Sequence, residues 1–257
     1  MNIGFIGVGN MGGAFINGLI KSGDFNVYLY DLNLDKAKKF QGINVHICDS
    51  INEISEKSEI LFLTVKPNIY PDVLEQLSEL NYANILISVA PGITTQYISS
   101  IVKSAQVIRI MPNTPAMVGE GMTLISDTDS HLIETIKPIL ENVGKVAVLP
   151  ESMMDYGTAL SGSSPALIYQ LIDIMANAAL SYGIPKDDGI KIAAQTVLGS
   201  AKMVLETGEH PQTLSDNVCS PGGTTIEMVN TLKKCGLGKT IVEAFDACVK
   251  KAQQMKK

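Results

Sequence analysis

The stretch that decides the fold is "NIGFIGVGNMGGAFINGLIKSG", residues 2–23. Asn2 to Ile6 is apolar enough for a buried strand. Met11 to Lys21 carries Met11, Phe15, Leu19 and Ile20 near helical spacing. Between them lies "GVGNMG", the GxGxxG turn of Gly7, Val8, Gly9, Asn10, Met11 and Gly12. In such a turn the first glycine permits the tight reversal, the second lets a pyrophosphate approach the backbone, and the third brings helix against strand. The helix start then offers unpaired N–H groups to phosphate. Alone, the turn is weak evidence, because a glycine-rich turn needs no ligand. Here it follows a strand and opens a helix. An acid also answers it: Asp31 ends the next apolar run, "NVYLY" (26–30), 19 residues after Gly12. The expectation is a nucleotide site built on the turn residues and Asp31.

Working outward, further strands are expected in "ILFLTV" (60–65), "NILISVA" (84–90) and "AQVIRIM" (105–111), with helical segments at 70–80 and 94–103 between them. Alternating strands and helices imply a mostly parallel sheet covered on both faces. "GMTLIS" (121–126) and "KVAVLP" (145–150) read as later strands around a helix in "SHLIETIKPILENVG" (130–144), which Pro138 should bend or divide. Beyond Pro150 only helices are expected, at about 165–182, 187–207, 222–235 and 238–256. The fold class is therefore α/β: a Rossmann-type dinucleotide-binding domain at 1–150, then an all-helical domain at 151–257.

Composition narrows the function. The 257 residues carry 20 basic and 26 acidic side chains, a net charge of −6, which argues against nucleic acid or an anionic membrane as partner. No segment reaches the roughly 18 apolar residues of a membrane span. The start of the chain has no basic region of a signal peptide. Cys48, Cys219, Cys235 and Cys248 are scattered, without a CxxC pair, which suits a reducing cytoplasm. His46, His131 and His210 have no metal-ligand spacing and read as surface or structural groups; no metal is expected.

Other segments add to the candidate site. A carboxylate at Asp31 can accept hydrogen bonds from free ribose hydroxyls and would repel a 2′-phosphate, so NAD is favoured over NADP; Lys36, Lys38 and Lys39 nearby leave NADP open. "TVKP" (Thr64, Val65, Lys66, Pro67) and "SVAPG" (Ser88 to Gly92) end strands on the side where ligands bind in open parallel sheets. "RIMPNTPAMVGEG" (109–121), with Met111 and Asn113, is a rigid connection expected to wall the cleft, or else to be only a linker. Late in the chain, "SPGGTT" (220–225) is either a helix cap or a loop that holds a small anion.

Taken together, "GVGNMG", "TVKP", "RIMPNTP", "SGSSPA" and "SPGGTT", in this order and spacing, resemble the pyrroline-5-carboxylate reductase family over essentially the whole chain. The resemblance implies reduction of L-Δ1-pyrroline-5-carboxylate to L-proline with a nicotinamide cofactor. It implies a helical second domain that builds an intertwined homodimer, and in several members five dimers form a decamer. It implies that Ser220, Gly222, Gly223, Thr224 and Thr225 wrap the substrate carboxylate, with Thr225 near the ring nitrogen as the catalytic residue. "TVKP", Ala90, Pro91 and Gly92 would contact the nucleotide, as would Met111 and Asn113. Ser164, Leu167, Glu227 and Met228 depart from the family pattern and bear on substrate preference and dimer packing.

The chemistry suits such a site. A protonated cyclic imine is already electrophilic, so the protein has mainly to hold the ring and exclude water. Backbone N–H groups at Gly222, Gly223 and Thr224, helped by the helix dipole, suit a carboxylate handle. Three alternatives remain: a reductase of another cyclic imino acid, a 3-hydroxyacid dehydrogenase-like enzyme, and a non-catalytic nucleotide sensor. The dehydrogenase needs an ammonium on the helix opening the second domain, yet Ala166 to Tyr182 has no lysine, arginine or histidine. That helix, "ALIYQLIDIMANAAL", is too apolar around its circumference for a monomer surface, which predicts an obligate dimer. Asp173 and Asn177 on it read as a buried polar pair or part of the dimer seam.

Overall fold

The computed structural model describes residues 1–255. They fall into two compact units, Met1–Pro165 together with the chain end from Cys248, and Ala166–Ala247. The expected division at 150 falls within the first unit, at a tight helical turn over Glu151–Met153.

The first unit opens with β1 (Asn2–Ile6), α1 (Asn10–Ser22), β2 (Asn26–Tyr30), α2 (Leu34–Ala37), β3 (Val45–Ile47), α3 (Ile51–Lys57) and β4 (Ile60–Leu63). It continues with α4 (Tyr70–Glu79), β5 (Ile85–Ser88), α5 (Thr95–Ile101), β6 (Gln106–Met111), β7 (Gly121–Ser126), α6 (Ser130–Leu140), β8 (Gly144–Leu149) and α7 (Met154–Gly157). The strands form one sheet in the order β3-β2-β1-β4-β5-β6-β7-β8. All neighbours are parallel except β6 and β7. From β1 the chain moves outward one way through β2 and β3, then returns to place β4 on the other side. That reversal opens a crevice at the carboxyl end of β1, where such folds bind ligands.

Side-chain alternation gives the sheet two buried faces. Phe5 and Phe62 stack at 4.7 Å and pack with Phe15, Ile16 and Leu19 of α1. Leu61, Leu63 and Leu86 point the other way, onto Ile54 of α3 and Val73, Leu74 and Leu77 of α4. Burial on both faces is why these strands read as continuous apolar runs.

The structure corrects several details. β3 escaped the sequence reading because it is three residues long and contains His46, whose ring stacks on Tyr28 at 4.9 Å. Pro138 neither divides nor ends its helix, since α6 runs on to Leu140. The bond Pro138 cannot make belongs to the carbonyl four residues back, at Glu134, an exposed residue of the helix. A wide turn at Thr158–Ser163 follows α7 and leads into α8 (Ser164–Ser181). Ser164 Oγ donates to the Ala159 carbonyl at 2.9 Å across that turn.

After α8 come α9 (Lys186–Thr207), α10 (Pro211–Val218), α11 (Thr224–Lys234) and α12 (Leu237–Gln254). Between Ala166 and Ala247 only Ala176, Gly189 and Ala193 are buried. There α8 and α9 touch through small residues: a Cβ on Gly189 would lie 3.3 Å from the Ala176 backbone. Large apolar side chains stay uncovered, among them Tyr169, Ile174, Ile192, Leu205 and Met228. Asp173 and Asn177 are exposed on this chain rather than buried. Lys186 Nζ donates to Asp173 Oδ1 at 2.6 Å and to Asn177 Oδ1 at 2.5 Å, holding the Asp173 carboxyl below the usual carboxylate range.

Candidate active site

The glycine turn is built from the sheet outward. Gly7 has φ +96°, a backbone shape that suits glycine, and its N–H donates to the Tyr30 carbonyl at 2.8 Å. Thr64, just past β4, donates its hydroxyl to the Gly7 carbonyl at 2.5 Å. Gly12 lies so close that a Cβ there would come within 2.5 Å of that carbonyl oxygen and 2.8 Å of Thr64 Oγ1. A Cβ on Gly9, by contrast, would meet nothing within 4 Å. The two outer glycines are thus required by packing, while the middle one faces open space. Gly9 caps α1 without a side-chain hydrogen bond, so the first N–H groups of that helix have no side-chain acceptor.

Asp31 is a strut as well as a cleft residue. Its Oδ2 accepts from Val8 N–H at 3.0 Å and its Oδ1 from Asn33 N–H at 2.9 Å. The Val8 N–H is therefore spent on Asp31. Each carboxylate oxygen keeps a further lone pair for another donor. A cleft of about 390 Å³ runs along Gly7, Gly9, Asp31, Thr64, Val65 and Lys66. Lys36, Asp72 and Gln76 also line it, and the sequence reading gave these no firm role. They lie on α2 and α4, amphipathic helices whose polar residues look like ordinary solvated surface. A second cleft of about 380 Å³ adjoins Val8, Gly9 and Asn10 and shares Lys36 with the first. Met11, Gly12, Pro67, Ala90, Pro91, Gly92, Met111 and Asn113 line neither.

Asn113 is a clip. Its Oδ1 accepts from Met122 N–H at 2.9 Å, and its Nδ2 donates to the Ser161 carbonyl at 3.1 Å. Both ends of the amide thereby serve the fold. A buried ion network lies nearby in the same unit, and sequence reasoning missed it. Arg109, 2% exposed, places NH2 3.4 Å from Asp155 Oδ1 and NH1 3.9 Å from Glu151 Oε1. Glu151 also accepts from the N–H and hydroxyl of Thr95. The available signal was an arginine inside an apolar strand.

The late loop is the start of α11. Gly222 has φ +67°, and Gly223 is the N-cap, with no side-chain hydrogen bond. Gly223 N–H turns back onto the Ser220 carbonyl at 3.0 Å, which removes one of the three expected anion donors. A Cβ on Gly223 would come within 2.3 Å of Ser220 Oγ, so a side chain there would turn that hydroxyl out of its present place. The hydroxyls of Ser220, Thr224 and Thr225 make no hydrogen bond to any described residue. Among the described residues no group of three His, Cys, Asp or Glu side chains could hold a metal.

Comparison with known proteins decides what this arrangement serves. The family model described as "Pyrroline-5-carboxylate reductase dimerisation" matches residues 151–255, and the one described as "NADP oxidoreductase coenzyme F420-dependent" matches residues 2–92. The Escherichia coli pyrroline-5-carboxylate reductase is 40% identical over 264 residues, covering 99% of this chain and 98% of that protein. The chain belongs to the pyrroline-5-carboxylate reductase family. The Coxiella burnetii pyrroline-5-carboxylate reductase structure is similar with a TM-score of 0.93 at 32% identity, covering 100% of this chain and 98% of that one. A Plasmodium falciparum pyrroline carboxylate reductase, solved with NADP bound, is similar with a TM-score of 0.88 at 27% identity, covering 100% and 98%. The reductase described here is an NAD(P)H-dependent enzyme that converts pyrroline-5-carboxylate to proline. The dehydrogenase and sensor alternatives fall away. No helix among the described residues is long and apolar enough to cross a membrane.

Proposed function

We propose that the cleft along Gly7, Gly9, Asp31 and Thr64–Lys66 takes the dinucleotide, with NADH favoured over NADPH. The observation that carries this reading is the open space at Gly9 beside an uncapped helix start. A pyrophosphate fits there, against the N–H groups of the first turn of α1. Asp31 would receive the ribose hydroxyls on lone pairs left free by Val8 and Asn33, and its charge would repel a 2′-phosphate. Lys36 lines the same cleft and softens that repulsion, so NADPH is the second choice. Lys38 contributes less, being paired with Asp35 at 3.1 Å. Titrating the protein with each cofactor tests the preference: NADH should bind more tightly, and equal or reversed affinities would overturn it.

Ser220, Gly222, Thr224 and Thr225 are assigned to the substrate carboxylate, with Gly223 shaping the loop. Two features support this: an N-terminus of α11 without a side-chain cap, and hydroxyls that make no hydrogen bond to any described residue. When bound, NAD(P)H supplies the hydride. The protein's part is to fix the ring by its carboxylate and to hold the Thr225 hydroxyl at the nitrogen. A hydroxyl can donate to the neutral imine and accept from the protonated one.

Residues 1–150 are read as the dinucleotide-binding domain and 151–257 as the substrate-binding and dimerisation domain. The uncovered apolar faces between Ala166 and Ala247 support a homodimer. Five such dimers would make the decamer that the family resemblance implies. The cytoplasm is the proposed location, supported by four cysteines that are all free.

A further inference from the structure

The loop after β5, residues 89–94, is pinned at both ends. At its start, buried Tyr70 accepts from Val89 N–H at 3.3 Å and donates to the Leu63 carbonyl at 2.8 Å. Burial pushes the Tyr70 hydroxyl up to about 12, so it keeps its proton at any working pH. At the far end, Glu151 accepts from Thr95 N–H at 2.9 Å.

The middle of the loop is held differently. Gly92 is buried, with φ +74°. A Cβ placed on it would lie 2.4 Å from the Met255 carbonyl oxygen, 2.8 Å from its carbonyl carbon and 3.3 Å from its Cβ. The cover over Gly92 is therefore the backbone just beyond α12. That stretch is itself fixed: Met255 N–H donates to the Ala252 carbonyl at 3.1 Å, and Cys248 Sγ lies 3.3 Å from Ser163 Oγ. Glycine is the residue with the most backbone freedom to lose. Left uncovered, Gly92 would explore other shapes, and a ligand using the loop would have to order it on binding.

We propose that the end of α12 is a positioning element for the cofactor: the Met255 backbone braces the Ala90–Gly92 loop in its binding shape. This rests on the reading of that loop as a nucleotide contact. Met255 itself need not touch the cofactor. Its contribution is to order the loop beforehand.

The test uses the full protein, a chain stopped before Met255, Gly92→Ala, and the two changes combined. Amide hydrogen exchange is read at residues 89–95, cofactor Kd is measured by nucleotide fluorescence, and the imine KM serves as control. Stopping the chain should speed exchange at 89–95 and raise cofactor Kd roughly 3- to 10-fold, the scale of ordering one or two groups on binding, while imine KM holds. Gly92→Ala should cost less in the shortened chain than in the full one, because the clash with the Met255 carbonyl is gone and only the φ strain remains. Unchanged exchange at 89–95, or strictly additive effects of the two changes, would overturn the brace. Faster exchange with unchanged cofactor Kd would overturn the proposal differently, by showing that the braced loop is not a cofactor contact.

Discussion

The two compact units reach stability by different routes. In Met1–Pro165 the sheet carries apolar clusters on both faces, and Phe5, Phe15, Phe62 and Leu74 are wholly buried. In Ala166–Ala247 no residue joins any of the apolar clusters, and burial stops at Ala176, Gly189 and Ala193. The same kinds of side chain, leucine, isoleucine and methionine, fill the core of the first and build no core in the second. Composition does not separate the two units. Closure does: a sheet flanked by helices encloses its own core, while these helices present apolar faces that call for a second surface. The first unit is thus complete as one chain, and the second is half of a structure.

That contrast gives different signatures to lesions in the two units. The largest expected effect is in the first. Arg109→Ala would break the ion pair between Arg109, 2% exposed, and Asp155, 3% exposed, a change that costs about 3–5 kcal/mol when one partner of a buried pair is removed. Chemical denaturation should show that loss to the same extent at every protein concentration. If the loss shrinks as concentration rises, the first unit also depends on assembly and the contrast is blurred.

Next in size is a change at the loop opening α11. Thr225→Ala should lower kcat/KM for the imine about 10- to 100-fold, the order of one hydrogen bond of roughly 1–3 kcal/mol in a closed site. Thr225→Ser should retain most activity, and cofactor affinity should hardly move in either variant. Full kinetic profiles with imine and cofactor varied separately would check this. Wild-type imine kinetics in Thr225→Ala would remove the hydroxyl from the mechanism and leave the loop's backbone as its whole contribution.

A smaller change is expected at Asp31. Asp31→Ser should raise the KM for NADH and relax discrimination against NADPH, with kcat nearly unchanged because the ribose is remote from the reacting carbon. Since Asp31 also accepts from Val8 N–H, some loosening of the glycine turn should accompany it. Exchange of the Val8 amide separates the two roles. An unaltered cofactor preference with a faster Val8 amide would mean that Asp31 is only a strut.

How far these features could be read in advance follows the range of the interactions. Strands β1 and β2 and helices α8 and α9 were legible to within a residue or two, because their periodicity or apolar runs are local signals. β3 was not, since "VHI" owes its place to pairing with β2 rather than to its own pattern. The glycine turn was legible because Gly7 and Gly12 answer to steric demands that recur in such turns. The second roles of Asp31 and Asn113 were hidden, because each depends on a backbone group brought close only by folding, whereas that of Gly223 is a local turn onto Ser220. The Arg109 network was hidden for the same reason: its partners lie 42 and 46 residues away in sequence. The bare helices carried the clearest long-range message, namely that α8 is too apolar around its circumference for a monomer surface.

The most direct test of the contrast is sedimentation equilibrium of the intact protein at low micromolar concentration. A self-sufficient first unit joined to an incomplete second one predicts a dimer, with no monomer whose helical unit stays folded as the sample is diluted. A stable, folded monomer there would contradict it, since the apolar faces of α8 and α9 would then lie open to water without cost.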